Sequence, residues 1–271
     1  MRALPDLKPG RWSDLRLRVA SALVLLPVVL LSEWAGGWAW AVLVALAAAG
    51  MAWEWSRLFG HTVVRLPGSA VLAGVVLATV AAAAGLAWLV LAALGAGFLG
   101  AWARGGLGIA SGVLCIGAAC MALVWLRGDT VAGQGNLLFL LFAVWASDIG
   151  AYAVGRMVGG PKLAPAISPG KTWSGAVGGL LIAAIVGEVA AQLMHPSTLG
   201  AAAGVAALLA VAAQAGDLGE SALKRHAGVK DSSRLIPGHG GLLDRLDGVL
   251  AAAPVAAMLA AWTGRGVLLW Q

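Results

Sequence analysis

The sequence predicts an all-α polytopic membrane protein with about nine transmembrane helices, and three observations carry that reading. Hydrophobic side chains make up 61% of the 271 residues and charged ones only 11%, whereas a soluble domain carries about 25% charged residues and needs them to cover its surface. The apolar residues fall into runs able to cross a hydrocarbon core about 30 Å thick, for which roughly 20 helical residues suffice. The eighteen Lys and Arg gather in the short segments between those runs. That pattern points to lipid headgroups and phosphate-bearing ligands and away from nucleic acid.

Taken in order, residues 1–18 read as a basic leader with Arg2, Lys8, Arg11, Arg16 and Arg18. No small-residue cleavage site follows, so the leader is expected to be retained on the cytoplasmic side. The first span covers 19–33 and tolerates Pro27, because neighbouring helices can satisfy the freed carbonyl. Trp34, Trp38 and Trp40 cluster at the next turn, where amphipathic rings favour the headgroup level. The second span, 37–53, ends in a polar connector with Glu54, Trp55, Arg57, His61 and Arg65.

Residues 67–102 carry no charge over nearly twice the length of one span, so the run is divided near Gly85 into two. Arg104 closes the pair, 106–126 makes the fifth span, and 127–136 reads as a polar, Gly-rich loop. The sixth span, 137–154, bears Asp148 near its end and leads into a Gly-, Pro- and Lys-rich loop over 156–173. The seventh, 174–194, contains Glu188, far from any motif and read as structural. The eighth starts near 199 and the ninth covers 241–262; eight spans is the alternative if 67–102 counts as one. Cys115 and Cys120 lie in one apolar run without CxxC spacing or a nearby His, which indicates neither a disulfide framework nor a zinc site. Without repeats or linkers, residues 1–271 form a single integral membrane domain, with 137–248 holding the reactive loops.

Orientation follows from counting, because cytoplasmic loops retain Lys and Arg. With nine spans and the N-terminus inside, only Arg127 and Arg265 of the eighteen fall outside. Asp148, Lys171, Asp217, Asp244 and Asp247 then all lie at the cytoplasmic ends of spans six, eight and nine and the loop between them, which implies one site. The absence of a targeting segment leads us to expect a bacterial inner membrane, with the site facing the cytoplasm.

The charge is concentrated in residues 216–248, which hold five of the twelve acids and five of the eighteen bases. An ionised group at bilayer depth costs roughly 2.5–3.5 kcal/mol even on lenient scales, so acids at the ends of apolar segments are by default candidates for a functional site. Asp217, Glu220, Ser221 and Lys224 fall three or four residues apart and would share a helix face. Asp244 and Asp247 are three apart at the start of the last span. Carboxylates converging from separate helices repel at low dielectric, and a divalent cation is the usual remedy. Hard oxygen ligands without Cys or a His cluster indicate Mg²⁺ rather than Zn²⁺. Lys171, Lys224, Arg225, Lys230 and Arg234 around such a centre would bind phosphate, together describing a site for a nucleoside triphosphate.

The run Ser221, Lys224, Arg225, Lys230, Asp231, Ser233, Ile236, Pro237, His239, Gly240, Gly241, Asp244, Arg245 and Asp247 resembles the signature of the phosphatidate cytidylyltransferases, also called CDP-diacylglycerol synthases. Ser147 and Asp148 with Ala151 and Tyr152, the loop Ser168, Pro169, Gly170, Lys171, Thr172 and Trp173 before Gly175, and Arg18 with Ala22, Leu23 and Pro27 are similar to the same family. Ser174 departs from it, since an acid is common there. The resemblance implies that CTP and phosphatidate give CDP-diacylglycerol and pyrophosphate, the lipid phosphate attacking the α-phosphorus directly with Mg²⁺ and, optionally, a monovalent cation such as K⁺. It makes Asp217 and Asp244 first choices as metal ligands, with Asp148 and Asp247 supporting. Lys171, Lys224, Arg225 and Lys230 would hold phosphates, while Ser168, Thr172, Ser221, Asp231, His239, Gly240, Gly241 and Arg245 would contact substrate. The expected partners are CTP, phosphatidate and membrane lipids, with a homodimer left open.

Three other readings compete. Gly170, Lys171 and Thr172 suggest a phosphate-binding P-loop, but the glycine required five positions earlier is Pro165. A transporter would place its acids near the midplane between repeated halves, and neither is visible. A CTP-dependent polyprenol kinase or a cytidylyltransferase acting on another lipid stays open.

Overall fold

A computed structural model describes residues 11–128, 130–194, 200–233, 235–236, 238, 240–264 and 268–270. The chain is helical: α1 (Arg11–Ala35), α2 (Gly37–Leu58), α3 (Gly68–Ala83), α4 (Ala87–Arg127), α5 (Val131–Val158), α6 (Trp173–Met194), α7 (Ala201–His226) and α8 (Leu243–Thr263). Six of the helices are long and apolar enough to cross a membrane, and α3 and the stretch Val19–Ala35 are shorter apolar helices. The chain is therefore a polytopic membrane protein.

Helix α4 runs for 41 residues, which would reach about 62 Å if straight, twice the hydrocarbon core. It is not straight: Gly106 leaves helical geometry at φ 80°, ψ −177°. That backbone region is open to glycine and closed to other residues, so the break falls there. Gly85, where the long uncharged run divides by sequence, lies in the turn between α3 and α4. These two helices approach closely, since a Cβ on Gly97 would stand 2.8 Å from the Gly74 Cα. Small residues permit such backbone contact.

Several sequence expectations need correction. The segment 127–136 is mostly helix, because Thr130 caps α5 by accepting from the Gly133 N–H at 2.9 Å. The loop 156–173 contains a two-stranded antiparallel ribbon, β1 (Lys162–Ala164) and β2 (Ser168–Thr172), pairing Lys162 with Thr172. Not every tryptophan is an interfacial anchor. Trp34 and Trp38 are exposed, but Trp40 and Trp55 are buried between α2 and α4. Their indole N–H groups donate to the carbonyls of Leu123 at 3.0 Å and Ile109 at 3.1 Å, and Gly112 leaves room for the Trp55 ring. Glu188 accepts from the Gly200 and Ala203 N–H groups at 3.2 and 3.1 Å, so it caps the start of α7, in line with a structural role. His195 and Arg265 lie outside the described residues.

At the end of α4, Arg127 turns inward. It pairs with Glu33 at 3.3 Å and donates to the carbonyls of Glu33, Gly128 and Trp34, both charged side chains being buried. Arg127→Met would leave the Glu33 carboxylate buried without its cation. Removing one partner of such a pair destabilises by about 3–5 kcal/mol, which thermal unfolding of the detergent-solubilised protein should register.

Candidate active site

The helix period builds the first part of the site. On α7, Asp217, Glu220, Ser221 and Lys224 share a face as their spacing requires. The Lys224 ammonium lies 2.9 Å from Glu220 Oε2 and 2.7 Å from Asp244 Oδ1, in the first turn of α8. Both pairs are nearly excluded from solvent. Asp217 accepts weakly from Ser221 Oγ at 3.4 Å and pairs with Lys171 of β2 at 2.5 Å. The ribbon thus lies against α7, and Arg225 fixes it there by donating to the Ile167 carbonyl at 3.1 Å.

Asp148, near the end of α5, has Asp217, Lys171 and Arg245 as charged neighbours. Asp247 faces Asp217, Glu220 and Asp148 while accepting from the Gly248 N–H at 2.7 Å. Three helices therefore bring Asp148, Asp217, Glu220, Asp244 and Asp247 to one end of the bundle with Lys171, Lys224 and Arg245 among them. Fully ionised, these groups carry a formal excess of two negative charges.

Asp244 differs from the other acids. Besides Lys224 it accepts the Ser232 N–H with both oxygens, at 3.2 and 3.1 Å, and the Gly241 N–H at 2.8 Å. It organises the loop as well as holding the lysine. Among the described residues, no three Asp, Glu, His or Cys side chains stand together as a ready metal cage; the lysines lie between the acids. Glu220 Oε1 is nonetheless buried without a hydrogen-bond donor and has Asp247 beside it. An orphan carboxylate oxygen next to a second carboxylate suits a bound cation, so the acidic set fits one.

The remaining candidates divide. Ser168 opens β2, Lys230 and Asp231 are exposed, and Arg245 is exposed with Asp148 as a charged neighbour. Thr172 is buried as the cap of α6, accepting from the Gly175 N–H at 3.1 Å. Ser174 bonds Thr172 Oγ1 at 3.0 Å and donates to the Gly159 carbonyl, so the residue that departs from the family pattern ties the ribbon to α5. Gly240, at φ 91°, exchanges backbone hydrogen bonds with Ile236, and the Gly241 N–H goes to Asp244. These two amides are directed into the loop. Arg234, Pro237 and His239 lie outside the described residues.

Sequence reasoning passed over Glu54, which is wholly buried at the end of α2 and accepts the Leu242 and Leu243 N–H groups at 2.8 and 2.7 Å and the hydroxyls of Ser232 and Ser233. Its signal, an acid closing an apolar run, is indistinguishable in sequence from the polar connector that Arg57 continues. Gln214 was also missed. It donates to Ser147 Oγ and to the Ala176 carbonyl, both at 3.1 Å, and so joins α5, α6 and α7 behind Asp148.

Comparison with known proteins points the same way. The chain matches the cytidylyltransferase family over residues 16–262. It is 37% identical over 262 residues to the phosphatidate cytidylyltransferase of Brucella suis, covering 92% of this chain and 94% of the relative. It is 37% identical over 275 residues to the Pseudomonas aeruginosa phosphatidate cytidylyltransferase, covering 90% and 96%. Over a shorter stretch of 131 residues, 46% of each chain, identity to the Haemophilus influenzae phosphatidate cytidylyltransferase rises to 47%.

Proposed function

The chain belongs to the cytidylyltransferase family, and from that premise we propose that it transfers the cytidylyl group of CTP to phosphatidate. A phosphate oxygen of the lipid attacks the α-phosphorus, the bond from that phosphorus to the bridging oxygen breaks, and pyrophosphate leaves with CDP-diacylglycerol as product. The nucleophile is already an anion, so no covalent enzyme intermediate is required. The observation that carries the reading is the meeting of Lys171 from the ribbon and Lys224 from α7 with acids of α7 and α8.

Each side chain then has a task. Lys171 and Lys224 are pre-aimed by carboxylates and would hold the phosphates of CTP, with Arg225 and Lys230 at the rim. Cations held in place by carboxylates stabilise charge developing on a leaving pyrophosphate without reorganisation. Asp247 and the orphan Glu220 Oε1, with Asp148 and Asp217 as charged neighbours, would close on Mg²⁺, whereas Asp244 already accepts three donors and would reach a metal only by releasing one. When bound, the ion supplies charge neutralisation between the acids and the phosphates. In the same reading the chain crosses a bacterial inner membrane nine times with the site facing the cytoplasm, which the distribution of Lys and Arg supports.

The test is purified protein in detergent with α-labelled CTP, phosphatidate and Mg²⁺. The label is expected in a CDP-lipid, with pyrophosphate released in equal amount. Release of CDP with transfer of the γ-phosphate to a lipid would contradict the proposal in favour of a kinase, and solute flux in liposomes without nucleotide would favour a transporter.

A further inference from the structure

Glu54 stands apart from the acids of the site. Among the described residues it has no cationic partner, yet its side chain is wholly buried. Both oxygens are used twice: Oε1 accepts the Leu242 N–H and Ser233 Oγ, and Oε2 accepts the Leu243 N–H and Ser232 Oγ. A buried carboxylate is tolerated only with such full hydrogen bonding. The uncapped N–H groups of a helix start, with their partial positive charge, add to it.

Capping alone does not explain the arrangement. A Ser, Thr, Asp or Asn at the cap position would satisfy the first turn of α8 locally, but Leu242 occupies that position and makes no side-chain cap. The cap comes instead from α2, nearly 190 residues away in sequence. The same carboxylate binds Ser232 and Ser233 at the other side of the loop, so one group fastens both ends of 232–243. One turn earlier on α2, Gly50 has no side chain, and a Cβ there would stand 2.9 Å from Leu242 Cδ2. The α2 surface is thus shaped to seat this loop.

From Ser232 the chain of contacts continues. Its N–H donates to both Asp244 oxygens, and Asp244 holds the Lys224 ammonium. We propose that Glu54 is a positioning residue that fixes Lys224 and Asp244 through Ser232 and the first turn of α8, without touching substrate. The inference rests on the cytidylyltransferase reading.

The experiment compares kcat and KM for CTP, per folded protein, in wild type, Glu54→Gln, the double variant Ser232→Ala/Ser233→Ala, and all three changes together. An amide retains one acceptor oxygen where four donors wait. Glu54→Gln is expected to lower kcat/KM by about 10–100-fold, the usual loss when a group supporting an active-site side chain is removed. The serine variant keeps the carboxylate and the helix cap, covers the case in which Glu54→Gln does not fold, and is expected to lower kcat/KM in the same sense. The combined effect should fall well short of the product of the separate losses, because the groups act in one chain. A merely structural role would lower thermal stability and leave the constants of the folded fraction unchanged, and that result, or fully multiplicative losses, overturns the proposal. A wild type that makes no CDP-lipid overturns the cytidylyltransferase reading instead. Amide exchange across 230–245 then still decides the positioning claim, which fails if the serine variant exchanges no faster than wild type.

Discussion

Lys224→Met is expected to lower kcat by about 10²–10³-fold, as for loss of a preorganised charge-stabilising group, and to destabilise the fold by about 3–5 kcal/mol. The two effects have different origins. Lys224 lies between Glu220 and Asp244 at 2.9 and 2.7 Å, both largely removed from solvent, so deleting the ammonium leaves two carboxylates facing each other at low dielectric. A second change, Glu220→Gln, removes one of those charges and should recover much of the lost stability. It should not recover turnover, because the phosphate-binding cation is still missing. Thermal unfolding and CDP-lipid formation measured on the same preparations separate the two. Recovery of both by the second change would mean that Lys224 serves the fold alone.

Gly241→Ala should be nearly as damaging, for a steric reason. A Cβ on Gly241 would stand 1.8 Å from Ser232 Oγ, 2.9 Å from Glu54 Oε1 and 3.0 Å from Asp244 Oδ2. No real Cβ tolerates the first contact, so either Ser232 Oγ swings away from Glu54 or the loop moves, and both loosen the network that fixes Asp244. Misplacing a catalytic group by about 1 Å can reduce rate about 10²-fold, and a fall of that order in kcat is expected with little change in overall helicity. Gly219→Ala, on the exposed side of α7, is the control, because a Cβ there meets nothing within 4 Å. Equal activity in the two variants would contradict this view of the loop.

What the sequence makes legible is what helix periodicity and the membrane make local. The spacing of Asp217, Glu220, Ser221 and Lys224 places them on one face because α7 continues unbroken to His226. The meeting of Asp148, Lys171 and Asp217 is expected from charge asymmetry between loops, which assigns distant residues to a common side without specifying their partners. The partners themselves are not legible. That Lys171 chooses Asp217, or that Asp244 divides its oxygens among Lys224, Ser232 and Gly241, depends on tertiary distances of a few ångströms. Glu54 shows the limit most clearly: its partners lie some 180 residues away, and a carboxylate at the end of an apolar run looks the same whether it faces water or staples a loop. Trp40 and Trp55 escaped for a similar reason, since an indole at a helix end suits either a headgroup or a buried carbonyl.

The central claim is that acids from α5, α7 and α8 hold a divalent cation beside two lysines. It is tested most directly by titrating Mn²⁺ into the detergent-solubilised protein and reading free Mn²⁺ by electron paramagnetic resonance, without substrate. Wild type is expected to bind Mn²⁺ and release it to Mg²⁺, with affinity at least about tenfold weaker in Asp217→Asn and Asp247→Asn. Undiminished Mn²⁺ affinity in both variants, with the fold intact, would contradict the claim.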